Sequence, residues 1–227
     1  MTFPRRIGSF LGCLCAVTAF SVSGAEPPSP SGVTRSEPQP SLILQPPDGG
    51  IWQRGVGEGF RAATQAMGLS VGASYGLLIL GSRERHELAS CGISYGHMLG
   101  GVKGTNHWYR GNWEFRAELF GGAQFRPDTR WVLGLTPHLR YSFATGTRWI
   151  PFVDIGAGVG TTNIREPDLG GLFQFNLQGG TGIGWLVKDN LAVSLEGRYL
   201  HLSSARIYDP NLGVNTVIGL VALNWFF

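Results

Sequence analysis

Apolar and polar residues alternate with a period of two over most of the chain after about residue 68. The clearest run is 130–143, where the odd positions include Trp131 and Leu133 and the even positions include His138 and Arg140. Because successive side chains of a β-strand point to opposite faces, this pattern predicts strands with one apolar and one polar face. The predicted strands lie near 68–80, 87–99, 112–126, 130–144, 148–163, 170–187, 190–205 and 214–227.

These eight predicted strands have the length and the even number of a small membrane barrel. A tilted strand crosses the hydrocarbon with about 9–11 residues, and outer-membrane barrels use an even number of antiparallel strands. A soluble sandwich also alternates, but its apolar faces point inward. Near the strand ends lie aromatic residues that fit interfacial girdles: Trp131, Trp149, Trp185, Tyr199 and Trp225. The predicted fold is therefore all-β, an eight-stranded antiparallel transmembrane β-barrel of the outer membrane.

The polar faces of the predicted strands carry charges of both signs. In a barrel of eight strands the interior is just filled by side chains, so opposite charges can neutralise one another there. The residues expected inside are Glu114, Arg116, Glu118, Arg140, Asp154, Glu196 and Arg198. A filled interior also makes a transport pore a weak alternative.

The first 50 residues are not expected to belong to the barrel. Arg5 and Arg6 precede an apolar run, and small residues end at Ala25, which predicts a signal peptide over 1–25. A lipoprotein signal that uses Cys13 is the less favoured alternative. The proline-rich segment 26–50 predicts an extended linker. The barrel domain is predicted over 51–227, with a short amphipathic helix over 52–66 ahead of the first strand.

Composition narrows the function further. Cleavage after Ala25 leaves Cys91 as the remaining cysteine, which excludes a disulfide within the exported chain. Loss of Arg5 and Arg6 lowers the formal net charge from +3 to +1, and no basic block stands out, so no nucleic-acid partner is expected.

Neither the histidines nor the glycine clusters of the predicted barrel domain indicate a bound metal ion or cofactor. His97 and His138 lack cysteine or carboxylate neighbours at ligand spacing, so no metal is predicted. The glycine clusters lack the context of a phosphate loop, so no cofactor is predicted. His86 and His107 fall in predicted turns and are expected to be solvated.

The strongest candidate chemistry lies near the end of the chain. His201 and Ser203 share one face of the strand predicted over 190–205, and that face is otherwise mostly apolar. Polar groups on the lipid side are costly and usually functional. Asn215 has the outward parity of the next strand, so an imidazole at position 201 could reach it. The plainer interpretation, an interfacial histidine and serine without chemistry, stays open because the pattern His-x-Ser is common by chance.

Three segments resemble the lipid A 3-O-deacylase family (PagL): Phe173-Gln-Phe-Asn, the run from Arg198 to Ser203, and Pro210-Asn-Leu-Gly-Val-Asn215. In that family a serine nucleophile is activated by the histidine two residues before it, and an acidic residue twelve after the serine orients the histidine. The resemblance therefore implies Ser203 as nucleophile, His201 as base and Asn215 as the orienting residue. It also implies an esterase that removes an ester-linked acyl chain, at the 3-O position, from lipid A without a metal or cofactor.

The chain departs from the family pattern at three positions. Asn215 replaces the acid, although related Cys-His-Asn sites work with an amide. Ser204 and Arg206 stand where the family has Asn and Gly in the region that supports the oxyanion, and their backbone amides could still serve. The alternative function is a non-catalytic structural or lipid-binding barrel with a degenerate triad.

The implied location is the outer membrane of a Gram-negative cell. With periplasmic termini, the seventh strand runs outward and places the site in the outer leaflet, where lipopolysaccharide resides. The expected partners are lipid A in lipopolysaccharide, as substrate, and outer-membrane lipid. The sequence leaves open a homodimer, which acyl chain is removed, whether Asn215 supports turnover, and the role of the proline-rich segment.

Overall fold

The structure is a computed structural model that describes residues 61–227. It contains eight antiparallel strands: β1 (Gln65–Gly76), β2 (Glu87–Met98), β3 (Gly111–Arg126), β4 (Arg130–Phe143), β5 (Trp149–Thr162), β6 (Phe173–Lys188), β7 (Leu191–Ser203) and β8 (Val214–Phe226). Each strand pairs with the next, and β8 pairs with β1 to close the barrel. The predicted eight-stranded antiparallel barrel is confirmed. The predicted signal peptide and linker lie outside the described residues.

The strand bounds agree with the alternation, since no end differs from its prediction by more than four residues. The largest difference is at β1, which ends at Gly76 although apolar residues continue to Leu80. Of the helix predicted over 52–66, residues 61–64 form a turn and Gln65 and Ala66 begin β1; the rest lies outside the described residues. Within residues 61–227 no helix is long and apolar enough to cross a membrane.

The barrel has an apolar outside and a polar inside. Along β4, Trp131, Leu133 and Leu135 are exposed, whereas His138 and Arg140 are buried. This arrangement suits a wall that meets lipid, because the hydrocarbon solvates apolar side chains and the interior satisfies polar ones.

The interior charges form a connected network, as the sequence predicted. Arg140 Nη2 lies 2.5 Å from Asp154 Oδ2 and 2.8 Å from Glu196 Oε2. Arg198 bridges two carboxylates, with Nε 2.6 Å from Glu196 Oε1 and Nη1 2.8 Å from Glu118 Oε1. All of the interior charges predicted from the sequence are buried. Each of them has a residue of opposite charge close by, as buried charges require.

The strand order separates two ends of the barrel. The loops 77–86, 127–129, 163–172 and 204–213 lie at one end, which we call the loop end. The turns 99–110, 144–148 and 189–190 lie at the other end, together with the start of β1 and the end of β8. His201 and Ser203 close β7 and Asn215 opens β8, so these three candidate residues lie at the loop end.

Candidate functional site

The candidate residues lie on adjacent strands of the outer wall. In the β7–β8 register His201 stands directly opposite Asn215, and in the β6–β7 register Ser203 stands opposite Phe175. Their neighbours Leu200 and Leu202 are buried in the interior. His201 and Ser203 therefore emerge on the outer face, half-buried, as their parity predicts.

The ring of His201 is held by the side chain of Asn215. His201 Nδ1 lies 2.7 Å from Asn215 Oδ1, and the Tyr199 hydroxyl donates to the same oxygen at 2.5 Å. Asn215 is only 1 % exposed, because the segment that follows β1 covers it. The backbone of that segment is tied to β8 where Leu77 N donates to Asn215 O at 2.8 Å.

The surroundings of Asn215 fix which nitrogen of His201 carries the proton. Asn215 Nδ2 donates to the backbone oxygen of Ile79 at 2.9 Å, and a carbonyl oxygen can only accept. The amide oxygen must therefore face His201, whose Nδ1 has to be the donor in their hydrogen bond. In the neutral ring this leaves the lone pair on Nε2, which is the nitrogen that a general base uses when the other is held by an orienting residue.

Ser203 shares the face of His201 but is not hydrogen-bonded to it. Among residues 61–227 no hydrogen bond joins the Ser203 hydroxyl to the His201 ring. The two residues are two positions apart on one strand, so their side chains are neighbours on the same face. Ser203 thus has the face and the neighbour that a nucleophile needs, and it is accessible from the lipid side.

Ser204 and Arg206 lie in the turn that follows β7. Ser204 is fully buried; its backbone nitrogen donates to Asn211 Oδ1 at 2.6 Å and its hydroxyl to the same oxygen at 2.9 Å. Ile207 N donates to Ser204 O at 3.0 Å, and Ala205 and Arg206 both have positive φ, 50° and 68°. This is the geometry of a tight turn that prefers glycine, and Arg206 is exposed in it.

Arg206→Gly is expected to raise the free energy of unfolding by about 1 kcal/mol, because glycine adopts positive φ without the steric penalty of a Cβ. Arg206→Ala is the matched control, since it removes the same charge but keeps the Cβ. The measurement is urea unfolding of the folded barrel in lipid vesicles. Equal stabilities of the glycine and alanine variants would show that the turn carries no such strain.

Asp168 joins three loops at the loop end. Its carboxylate accepts hydrogen bonds from Arg83 N at 2.7 Å and Glu84 N at 3.0 Å. Its backbone oxygen accepts from Leu212 N at 2.9 Å and Gly213 N at 3.2 Å. Asp168 is fully buried, so the loops 77–86, 163–172 and 204–213 share one buried anchor.

His86 is part of the same anchor, and the expectation that it is solvated is wrong. It is 2 % exposed, with Nε2 2.9 Å from Asp168 Oδ2 and Nδ1 2.8 Å from Gln124 Oε1. The turn position suggested solvent, but Gln124 of β3 and Asp168 of the loop 163–172 lie against the ring and hydrogen-bond to its two nitrogens.

The sequence also missed the residues that surround the candidate pair. Ser82 and Ile79 contact Asn215, and Gly213 lies against the ring of His201. Only Tyr199 carried a signal, because it shares the outward parity of His201; the others come from loops whose course the alternation does not predict.

The fold and the position of the site define a class, an outer-membrane β-barrel whose lipid-facing wall carries a histidine, a serine and an amide at the loop end. The family model of the lipid A 3-O-deacylases (PagL) matches residues 89–224, which is more than half of the chain. The protein belongs to this family, and the resemblance noted in the sequence is confirmed. Its family is therefore that of the lipid A deacylases of the Gram-negative outer membrane.

Two solved structures share the fold. The crystal structure of Neisserial surface protein A is similar with a TM-score of 0.54 and 15 % identity, over 72 % of this chain and 97 % of that one. The crystal structure of the outer-membrane enzyme PagL is similar with a TM-score of 0.50 and 20 % identity, over 69 % of this chain and 97 % of that one. At these identities the similarity concerns the fold. A comparison with curated proteins found no match.

Proposed function

We propose that the protein is a serine esterase that removes the acyl chain at the 3-O position of lipid A. Ser203 is the nucleophile, His201 the general base and Asn215 the residue that orients the ring. The observation that carries the proposal is the hydrogen bond of 2.7 Å between His201 Nδ1 and Asn215 Oδ1. Because the amide oxygen accepts there, the lone pair of His201 Nε2 is left for the serine.

The chemistry needs two acyl transfers. Ser203 Oγ attacks the ester carbonyl while His201 Nε2 takes its proton, and collapse of the tetrahedral intermediate releases the lipid A hydroxyl with that proton. A water molecule then gives its proton to the same nitrogen and attacks the acyl-enzyme, and the hydroxy fatty acid leaves as His201 returns that proton to Ser203 Oγ. Asn215 is neutral, so it acts by holding the ring and the tautomer rather than by compensating the charge of the imidazolium.

The surroundings suit an amphiphilic ester. Phe173, Phe175 and Leu177 are exposed on β6 beside Ser203 and offer an apolar surface to the acyl chain. Arg206 is exposed in the next turn, and Ser204 holds that turn in place through Asn211. We assign both residues to the support of the oxyanion region, Ser204 by fixing the backbone of the turn and Arg206 through its backbone amide.

The site is proposed to face the outer leaflet. The candidate residues lie at the loop end, and the start of β1 and the end of β8 lie at the other end. With those ends in the periplasm, as barrels with short periplasmic turns have them, Ser203 reaches the leaflet that holds lipopolysaccharide.

The test is mass spectrometry of lipid A from a Gram-negative host that expresses the protein. The expected result is the loss of one ester-linked hydroxy acyl chain, absent in the Ser203→Ala and His201→Gln variants. Thr181→Ala is the matched control, because it removes another outward hydroxyl from the wall without touching the site. Fragmentation of the product identifies the position that lost its chain.

Unchanged lipid A from a protein that is folded and inserted would overturn the proposal and favour the non-catalytic barrel. Removal of a chain from a position other than 3-O would keep the esterase and correct its specificity. Activity that persists in Ser203→Ala would exclude this serine as the nucleophile.

A further inference from the structure

The carboxamide of Asn215 uses its full hydrogen-bonding capacity. Its oxygen accepts from His201 Nδ1 and the Tyr199 hydroxyl, and its nitrogen donates to Ile79 O and, at 2.6 Å, to Ser82 Oγ. An asparagine side chain offers two donors and two acceptor sites, so none is left over. An amide at position 215 is thus matched to its surroundings on both sides.

Ser82 connects this amide to the backbone. Its hydroxyl donates to Gly213 O at 2.5 Å and, with its proton engaged there, accepts from Asn215 Nδ2. Ser82 N also donates to Ile79 O at 3.1 Å, which closes a turn around the amide nitrogen. Ser82 is buried, 9 % exposed, so water does not compete for these bonds.

The direction of these hydrogen bonds is set by the backbone. Gly213 O can only accept, so Ser82 must donate to it; Ser82 Oγ must then accept from Asn215, and Asn215 Oδ1 must accept from His201. Chains of hydrogen bonds that point one way polarise and strengthen each other. Groups from the loops 77–86 and 204–213 and from β8 therefore determine that His201 carries its proton on Nδ1.

We propose that Ser82 is a positioning residue for the esterase reaction, which fixes the orientation of the Asn215 amide and through it the tautomer of His201. This inference rests on the proposed function. It also implies that Asn215 orients His201 as an amide and is not a degenerate replacement of the family's acidic residue. A carboxylate at position 215 would place an oxygen against Ile79 O and would turn the Ser82 hydroxyl away from Gly213 O.

The first measurement is fatty acid release from lipid A by the full protein in detergent micelles. Ser82→Ala is expected to lower kcat about 10–100-fold with little change in KM, because a misplaced catalytic group costs rate more than binding. Ser82→Thr keeps the hydroxyl and is expected to stay within about threefold of the parent. Asn215→Asp, although it restores an acid, is expected to lower kcat at least about tenfold.

Ser74→Ala is the matched control. Ser74 is also 9 % exposed and its hydroxyl is also hydrogen-bonded to the backbone, where it accepts from Leu88 N, but no hydrogen bond joins it to Asn215. The Ser82→Ala/Asn215→Ala double variant should be no slower than Asn215→Ala, since both changes break the same chain. The proposal would be overturned if Ser82→Ala kept the kcat of the parent, or if the losses of kcat in the two single variants added up in the double variant. A kcat of Asn215→Asp above that of the parent would also overturn it.

The second measurement is nitrogen-15 NMR of the histidine rings, with His201→Gln to assign the signals. The parent should show a proton on His201 Nδ1 and a bare Nε2, and Ser82→Ala should show a mixture of tautomers. This readout does not need turnover. If the parent releases no fatty acid, the proposed esterase fails while the tautomer still decides the role of Ser82; an unchanged tautomer in Ser82→Ala would overturn that role.

Discussion

Gly213→Ala is expected to lower the kcat of lipid A deacylation about 100-fold while the barrel remains folded, because it displaces His201, the proposed general base, and small displacements of a catalytic group cost about that much. Gly213 has φ +87°, a conformation that a Cβ disfavours. A Cβ at this position would lie 2.8 Å from His201 Cε1 and 3.3 Å from Leu202 O. Because the backbone oxygen cannot move without disturbing β7, the imidazole must move, and its hydrogen bond to Asn215 is lost.

Gly146→Ala is the control for backbone strain. Gly146 has φ +77° but nothing lies within 4 Å of its added Cβ, and it is in the turn 144–148 at the opposite end of the barrel. The two variants should lose similar stability, whereas only Gly213→Ala should lose kcat. Equal kcat values in both variants would show that Gly213 does not hold the ring of His201.

Arg140→Met is expected to lower the free energy of unfolding by about 3–5 kcal/mol, the usual result of removing one partner from a buried ion pair. The guanidinium bridges Asp154 and Glu196, and its carbon lies 3.8 Å from the centre of the Phe152 ring. Methionine fills part of the volume but removes the arginine that pairs with Asp154, whereas Glu196 keeps its ion pair with Arg198. Urea unfolding in lipid vesicles measures the loss.

Arg130→Met provides the control for the change of residue type. Arg130 pairs with Asp128 at 3.5 Å, but the side chains are 40 % and 69 % exposed, and exposed ion pairs contribute about 0–1 kcal/mol. A loss in Arg140→Met no larger than in Arg130→Met would mean that the interior carboxylates find other partners.

The strands were predictable because one physical constraint acts on every residue of the wall. Each side chain faces either lipid or the filled interior, and the alternation of Trp131, Val132 and Leu133 records that choice directly. The end of β1 was predicted too late because Leu78 and Leu80 continue the apolar pattern. The strand already ends at Gly76, and the chain then turns through positive φ at Leu80 and Gly81, which apolarity does not encode.

The site was predictable only in part. The parity of His201, Ser203 and Asn215 predicts that they lie near one another on the outer face, and the resemblance to the family implies their roles. Ser82 could not be found this way, because it lies 133 residues from Asn215 in the chain and meets it only through the closure of the barrel. Asp168 and His86 are likewise joined by tertiary contacts between loops, and an isolated aspartate or histidine in a turn carries no local signal of burial.

The contact between Ser82 and Asn215 crosses the seam at which β8 meets β1. The strands β1 and β8 must therefore pair before the amide of Asn215 is oriented. During export, a chain whose first and last strands are still apart carries His201 and Ser203 but lacks the groups that set the histidine proton. The proposed esterase is thus expected to be inactive toward the lipids that it meets during export. The onset of its activity would mark the closure of the barrel.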